Sequence, residues 1–286
     1  MRRAVAMCWH LTLLVLCLVA SASVSADDEN KEASDDGMND ETRKVVVARM
    51  KEILDQTTLV RLRPTPVTAE LVPEPVLNWD DLPRGHYYGR LWVWGATGRP
   101  AAIVETYTIN FAKDIGSWPG NVVHSLAPEP LRAEGTLGWN WAPTEPGFTP
   151  KRLEGAPSPA ATKNLRRSQL RALAKRFTAN QTWMGDRSEL RLLPTSIRMY
   201  ESADDDSTDD GLLDGGLFAF VHGGTNPEII LILEAIRGAN DDYWQYGCVR
   251  LGHAQMQAKF DDREAWSVET YNSLSPNSPY YWILPR

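Results

Sequence analysis

Cysteine is scarce in this chain. Three occur among 286 residues, and two of them, Cys8 and Cys17, lie near the N-terminus. Cys248 stands alone, flanked by Gly247 and Val249 in an apolar stretch. Once the N-terminal segment is removed, no intrachain disulfide can form, and the usual staple of small secreted domains is excluded. Stability must then come from an ordinary core, for which a chain of this length is ample. A lone cysteine in an apolar strand reads as a small buried residue. Metal-ligand spacing is missing too. His86, His124, His222 and His253 are scattered singly, with no His-x-x-x-His or Cys-x-x-Cys. No metal and no cofactor is expected. No G-x-S-x-G nucleophile elbow accompanies the Gly223-Gly224 pair, so the lipase-like reading of that pair fails. No internal repeat stands out.

An excess of basic charge is also lacking. Removing Arg2 and Arg3 from the 30 basic residues leaves 28 against 37 acidic ones, a net charge of −9. That balance argues against nucleic acid or an anionic membrane as partner. Lys163, Arg166, Arg167, Arg171, Lys175 and Arg176 cluster at helical spacing and read as a solvated face.

What is present begins with an address. Residues 1–26 have a basic start, the apolar core LTLLVLCLVA and the small-residue end Val24-Ser25-Ala26, followed at once by acids. This is the pattern of a secretory signal peptide. The apolar core is shorter than the about 20 residues of a membrane span, so an uncleaved anchor is the lesser alternative. The expected location is periplasmic or extracellular, with no span in the mature chain. Lipidation at Cys17 is disfavoured by the bulky Leu16 before it. Residues 27–42 are acidic and poor in apolar side chains, hence a disordered leader.

From residue 43 to 286 a single domain is expected. Val46, Met50, Ile53 and Leu54 fall on one helical face, giving a short N-terminal helix. The Pro-rich residues 61–79 read as extended surface chain. YYGRLWVWG and AAIVETYTI form a hairpin around GATGRP. A register with Trp94 opposite Ala101 places Arg90 opposite Glu105. NLRRSQLRALAKRFTA is the long helix, with Leu165, Leu170, Leu173 and Phe177 on its apolar side and Thr162 as N-cap. GLFAFVHGGTNPEIILILEAIR forms a second hairpin. Pairing Phe220 with Ile230 sets His222 opposite Glu228. The fold class is α+β: a predominantly antiparallel, strongly curved sheet or partly open barrel of eight to ten strands. It packs on the one long helix.

Two carboxylates stand in apolar strands, Glu105 and Glu234. A pair of this kind is the machinery of glycosidases. With His222 they are the candidate catalytic residues, weighed against simple ion pairing of Glu105 with Arg90 and of Glu234 with Arg237. The 11 tryptophans give the other functional lead. Trp92 and Trp94 alternate on a strand, Trp139 and Trp141 sit together in a long loop, and Trp118 lies in a GSWPG turn. Open indoles suit sugar rings or apolar ligands, and the competing fate is burial as a lid. Asp204, Asp205, Asp206, Asp209 and Asp210 make an acidic loop without the EF-hand pattern, best read as solvated.

The stretches GRLWVWGATGRPAAIVETY, VVHSLAPEPLRAE, LRRSQLRALAKRFTA, SELRLLPTSIRMY and GLFAFVHGGTNPEIILILEA resemble a group of secreted proteins of planctomycete-type bacteria. The group has no assigned activity. The resemblance runs over roughly residues 60 to 270. It implies export and one domain, and transfers no catalytic residue. The expectation is therefore an exported, non-catalytic domain binding a small molecule or envelope component. A hydrolase using Glu105 and Glu234 is the first alternative, and a structural interaction protein the second.

Overall fold

Alternation of apolar and polar residues along strands, broken by Gly- and Pro-rich turns, builds nearly the whole fold. The computed structural model describes residues 40–81, 87–109, 119–202, 211–273 and 275–283. The expected signal, most of the expected leader, His86, Trp118 and the acidic residues 204–210 lie outside them. Two helices and eighteen strands are formed among the described residues. The helices are α1 (Asp40–Asp55) and α2 (Lys163–Ala174). All strand pairings are antiparallel.

Three sheets result. The four-stranded one runs β2 (Val67–Ala69), β1 (Thr58–Arg61), β7 (Leu131–Glu134), β8 (Asn140–Trp141). The five-stranded one runs β18 (Tyr280–Ile283), β6 (Gly120–Ser125), β5 (Ala102–Ile109), β4 (Tyr87–Trp94), β3 (Leu77–Asp81). The nine-stranded sheet curls into a half-barrel. Its path begins β17 (Arg263–Val268), β16 (Gln255–Phe260), β10 (Phe177–Trp183), β11 (Asp186–Leu192). It continues β13 (Leu212–His222), β14 (Asn226–Ile236), β15 (Tyr243–Arg250), β9 (Lys151–Arg152), while β12 (Arg198–Tyr200) pairs with β13.

Strand β14 is buried on both faces, which is why it reads as a continuous apolar run. Ile229, Leu231, Leu233 and Ala235 join a core that holds Leu170, Leu173 and Ala174 of α2. Ile230, Ile232 and Ile236 pack the other way, with Leu91, Val93, Ile103 and Val122 of the five-stranded sheet. The far face of that sheet carries Trp92, Trp94 and Val104. They pack with Ile53 and Leu54 of α1 and with Trp139 and Trp141.

Several expectations need correction. The N-terminal helix has 16 residues and the interior helix 12, so their relative lengths are reversed. The interior helix stops at Ala174 because Phe177 is needed in β10, where its ring meets Phe260 at 4.8 Å and Tyr246 at 5.5 Å. Leu165 is exposed instead of packed. Thr162 occupies the N-cap position but donates and accepts no side-chain cap bond. The Pro-rich stretch supplies β1, β2 and β3.

The first hairpin's register differs from the expected one by one residue, and the second's by one residue at Phe220 and by two at His222. Trp94 pairs with Ala102, which sets Arg90 opposite Thr106 and Leu91 opposite Glu105. The tip takes up Ala101, its backbone turned by Gly95 and Gly98 at φ of 102° and 66°. In the second hairpin Phe220 pairs with Ile229 and His222 with Asn226, with a register shift between Phe220 and Val221. Glu228 is the extra residue there, so counting pairs outward from the turn fails.

The basic face of α2 is less solvated than its spacing implies. Arg166 donates from Nε to Asp214, which has no solvent exposure, and Arg167 lies 3.7 Å from the same carboxylate. Lys163 pairs with Glu201 and Arg176 with Asp261. Asp214 thus ties the helix to β13. Asp214→Ala strands a largely buried guanidinium and should cost about 3–5 kcal/mol in urea denaturation. Lys163→Ala, breaking an exposed pair, should cost under about 1 kcal/mol in the same measurement.

Candidate functional site

Glu234 sits in a row of four residues in register across neighbouring strands: Tyr200, Gly215, Glu234 and Gln245. A Cβ at Gly215 would lie 2.2 Å from the Tyr200 ring, so the glycine lets that ring cross its strand. Tyr200 then donates to Glu234 Oε1 at 2.8 Å, and Gln245 donates to Oε2 at 2.6 Å. Arg99 completes the set, with Nε to Oε1 at 2.7 Å and its terminal nitrogen to Oε2 at 2.9 Å. The carboxylate has no exposure to water. Its partner is Arg99 at the tip of the β4–β5 hairpin, and not Arg237 as expected. Arg198 reinforces the same junction by donating to the carbonyls of Gly95 and Ala96 at 3.0 and 2.6 Å.

Glu105 lies on β5 between Leu91 and Val122, 5 % exposed. Neither it nor Glu234 lines the two cavities considered below. His222 is opposite Asn226, and its Nδ1 is buried without a hydrogen-bond partner. The turn beside it is a docking device: Thr225 donates its N–H to the Asp80 carbonyl at 3.0 Å. A Cβ at Gly224 would fall 2.4 Å from that oxygen. No group of three or more His, Cys, Asp or Glu is placed to hold a metal among the described residues.

Of the expected ligand-binding aromatics, Trp94, Trp139 and Trp141 are each at most 3 % exposed and belong to the core. Trp139 meets Trp94 edge-on at 5.6 Å, and Trp141 donates to the Ser278 carbonyl at 2.8 Å. They are a lid folded down, because only burial removes their large apolar area from water. Trp92 is buried as well, donating to Thr106 at 3.2 Å, though it forms part of a groove floor.

A different set of residues surrounds a cavity of about 450 Å³, within the range of small-molecule sites. It lies between β15, β17, the 145–149 loop, and the ends of β6 and β18. Phe148, Tyr246, Trp266, Tyr271 and Tyr280 supply its aromatic walls. Phe148 packs onto Gly247, where a Cβ would be 2.2 Å from its ring. Arg250 supplies fixed charge. It donates to the carbonyls of Gly252 and Glu269 at 2.8 Å each, and to that of Ala254 at 2.5 Å. Its guanidinium lies 5.4 and 5.5 Å from the Tyr271 and Tyr280 rings. Among the described residues three of its five N–H groups are used, leaving two.

Burial shifts three titratable groups of this cavity. Burial, partly offset by the Ser125 carbonyl that Nδ1 donates to, pushes His124 down to about 4, with Arg250 adding to the fall. Burial raises Cys248 to about 12. Tyr280 is raised well above the ordinary phenol value, by burial first and then by Glu105, against the opposing effect of Arg250. A neutral thiol of this kind is not a nucleophile. Alternation in YWQYGCVRL marks β15, and its Gly247 is a signal for close approach. The union of Arg250 with Tyr271 and Tyr280 has no local signature.

No family model matches the chain, and no curated protein matches it. A solved structure described as MrkH, a novel c-di-GMP dependence transcription regulatory factor, is 10 % identical over 73 % of this chain and 83 % of its own, at a TM-score of 0.10. A score that low says nothing about this chain's fold or chemistry.

His253, near the same cluster, is also lowered by burial and then by Arg250. Both imidazoles take up protons at lower pH in the folded chain than in the unfolded one. Folding stability should therefore be level above about pH 6.5 and fall as pH drops toward 4, by about 3 kcal/mol from His124 alone. Denaturation midpoints measured from pH 7 to 4.5 check this, with a flatter profile expected for His124→Phe.

Proposed function

We propose that the chain is an exported binding domain whose cavity beside Arg250 receives a small ligand with a planar or ring-shaped body and a hydrogen-bond acceptor. One observation carries the reading. Aromatic walls meet a guanidinium that keeps two N–H groups uncommitted, while the thiol and imidazole nearby are held neutral. Aromatic faces hold rings at low entropic cost, and a caged guanidinium binds without reorganising. The hydrolase alternative loses support because Glu234 is occupied by Arg99, Tyr200 and Gln245. Export rests on residues 1–26 and on the likeness to secreted planctomycete-type proteins. Among the described residues no helix is long and apolar enough to cross a membrane.

The test is a thermal-shift screen of the mature chain against saccharides, aromatic carboxylates and neutral aromatics. A true ligand raises the melting point by mass action, about 2.7 kcal/mol of stability at a hundredfold excess over Kd. Trp266→Ala, a half-buried wall residue, should lower affinity about tenfold while leaving the free protein's melting point within a few degrees. A screen without any shift at millimolar ligand, or hits indifferent to Trp266→Ala, would remove the proposal.

A further inference from the structure

The nine-stranded sheet curls without closing. Among the described residues β17 ends its path on one side, and on the other β9 covers only Gln245 and Tyr246 of β15. Residues 247–250 of β15 therefore have a partner strand on one side only, β14. The Arg250 cavity is the seam between these two edges. Gly247, Cys248 and Arg250 line it from β15, and Ala265, Trp266 and Val268 from β17. Side chains cross it. Tyr246 Oη donates to the Ala265 carbonyl at 3.1 Å, and Lys151 Nζ to the same oxygen at 3.2 Å. At the other end Arg250 donates to the Glu269 carbonyl at 2.8 Å. Strands bridged by whole side chains stand further apart than the about 4.8 Å of paired neighbours.

Main-chain groups point into this seam. The Trp244 carbonyl accepts from the Leu153 N–H on the β9 side, whereas the Leu251 N–H donates to the Glu228 carbonyl of β14. Even-numbered residues of β15 thus turn their N–H and C=O away from β14, and the register runs without a shift from Tyr243 to Arg250. Cys248 and Arg250 lie beyond the end of β9, and among the described residues their main-chain groups meet no partner on that side. Both residues are buried, and a buried main-chain group without a partner is costly. On β17 the Ala265 and Glu269 carbonyls face the seam, and alternation turns Ser267, between them, the same way. One further strand would satisfy both edges at once.

We propose that the Arg250 cavity takes the C-terminal end of an extended peptide, laid as a short strand between β15 and β17. This names the ligand of the site inferred above and rests on that inference. Main-chain bonds to Cys248 and Ser267 hold the segment, as in strand addition to any open edge. An aromatic side chain meets Phe148 and Trp266, and the terminal carboxylate takes the two uncommitted N–H groups of Arg250. A chain end fits where a through-running loop does not, because side-chain bridges to Ala265 and Glu269 bound the seam at both ends. Of the two chain ends the carboxyl one matches the lining. Arg250 and Lys151 stand there against Glu145 alone, which is exposed, so an ammonium would be repelled.

Isothermal titration of the mature chain tests this with four compounds. They are the tetrapeptide acid acetyl-Ala-Val-Ala-Phe, its C-terminal amide, the same acid methylated on the main-chain nitrogen of its third residue, and acetyl-phenylalanine. A strand between two edges uses every N–H, so the tetrapeptide acid should bind about tenfold more tightly than each of the others. Ser267→Pro removes a main-chain donor at a sheet edge, where proline is tolerated, and should cancel the tetrapeptide's advantage over acetyl-phenylalanine. If that variant does not fold, the methylated peptide tests the same kind of bond from the ligand's side. Equal binding of the tetrapeptide acid and acetyl-phenylalanine would overturn this inference and leave the binding reading standing. Equal binding of the acid and its amide, or of the acid and its methylated form, would overturn it too, as would an advantage that survives Ser267→Pro. Small ring ligands that bind in the thermal-shift screen while the tetrapeptide does not would have the same effect. Silence from all four compounds and from every small ring ligand would overturn both.

Discussion

Glu234 is a charged group in the middle of a strand buried on both faces, and it is held by Arg99, Tyr200 and Gln245. A carboxylate removed from water is costly unless its charge and lone pairs are met, so these partners must be in place for the sheets to close. Arg99 comes from the tip of the β4–β5 hairpin, so meeting that requirement positions the five-stranded sheet against the curled nine-stranded one. The Gly224 turn docks the other hairpin tip on Asp80 of β3. Between these contacts lies the core of Leu91, Ile103, Ile230 and Ile232. Polar contacts fix the geometry there, and apolar area supplies the stabilisation.

Because the two sheets are held in one arrangement, their margins define the cavities. The Arg250 cavity opens where β15 and β17 approach the ends of β6 and β18, and a groove lined by Arg43, Lys44, Lys51 and Arg90 lies on the far face of the five-stranded sheet, under α1. In the first, the cation is tethered by backbone carbonyls, so its position does not depend on a flexible side-chain partner. In the second, the register of the hairpin sets the neutral Asn78 and Thr106 opposite Arg90. Both features are cations set among aromatic rings.

Much of the architecture was legible in the sequence. The face formed by Val46, Met50, Ile53 and Leu54 is buried as its spacing implies. Hairpins surround GATGRP and GGTNP, the sheets are antiparallel, and Trp139 and Trp141 fold down over the core. The site was much less legible. Expected pairs such as Arg90 with Glu105 and His222 with Glu228 failed because the registers moved, by one residue where Ala101 joins the first tip and by two at His222 where Glu228 forms a bulge by the other. A slip of one exchanges the faces of a strand, so a small error in a turn becomes a complete error in partners.

The sequence by itself determined the local conformations, since periodicity, turn glycines and helix-compatible spacing act over a few residues. It also determined the scarcity of cysteine and with it the dependence on a hydrophobic core. Tertiary structure alone decided which charges meet. Arg99 reaches Glu234 across 135 positions and Tyr107 accepts a bond from Trp282 across 175, distances over which no sequence pattern carries information. It likewise decided that Arg250, Tyr271 and Tyr280 surround one cavity, because that grouping follows from how the sheets dock and from no property of the three residues taken separately.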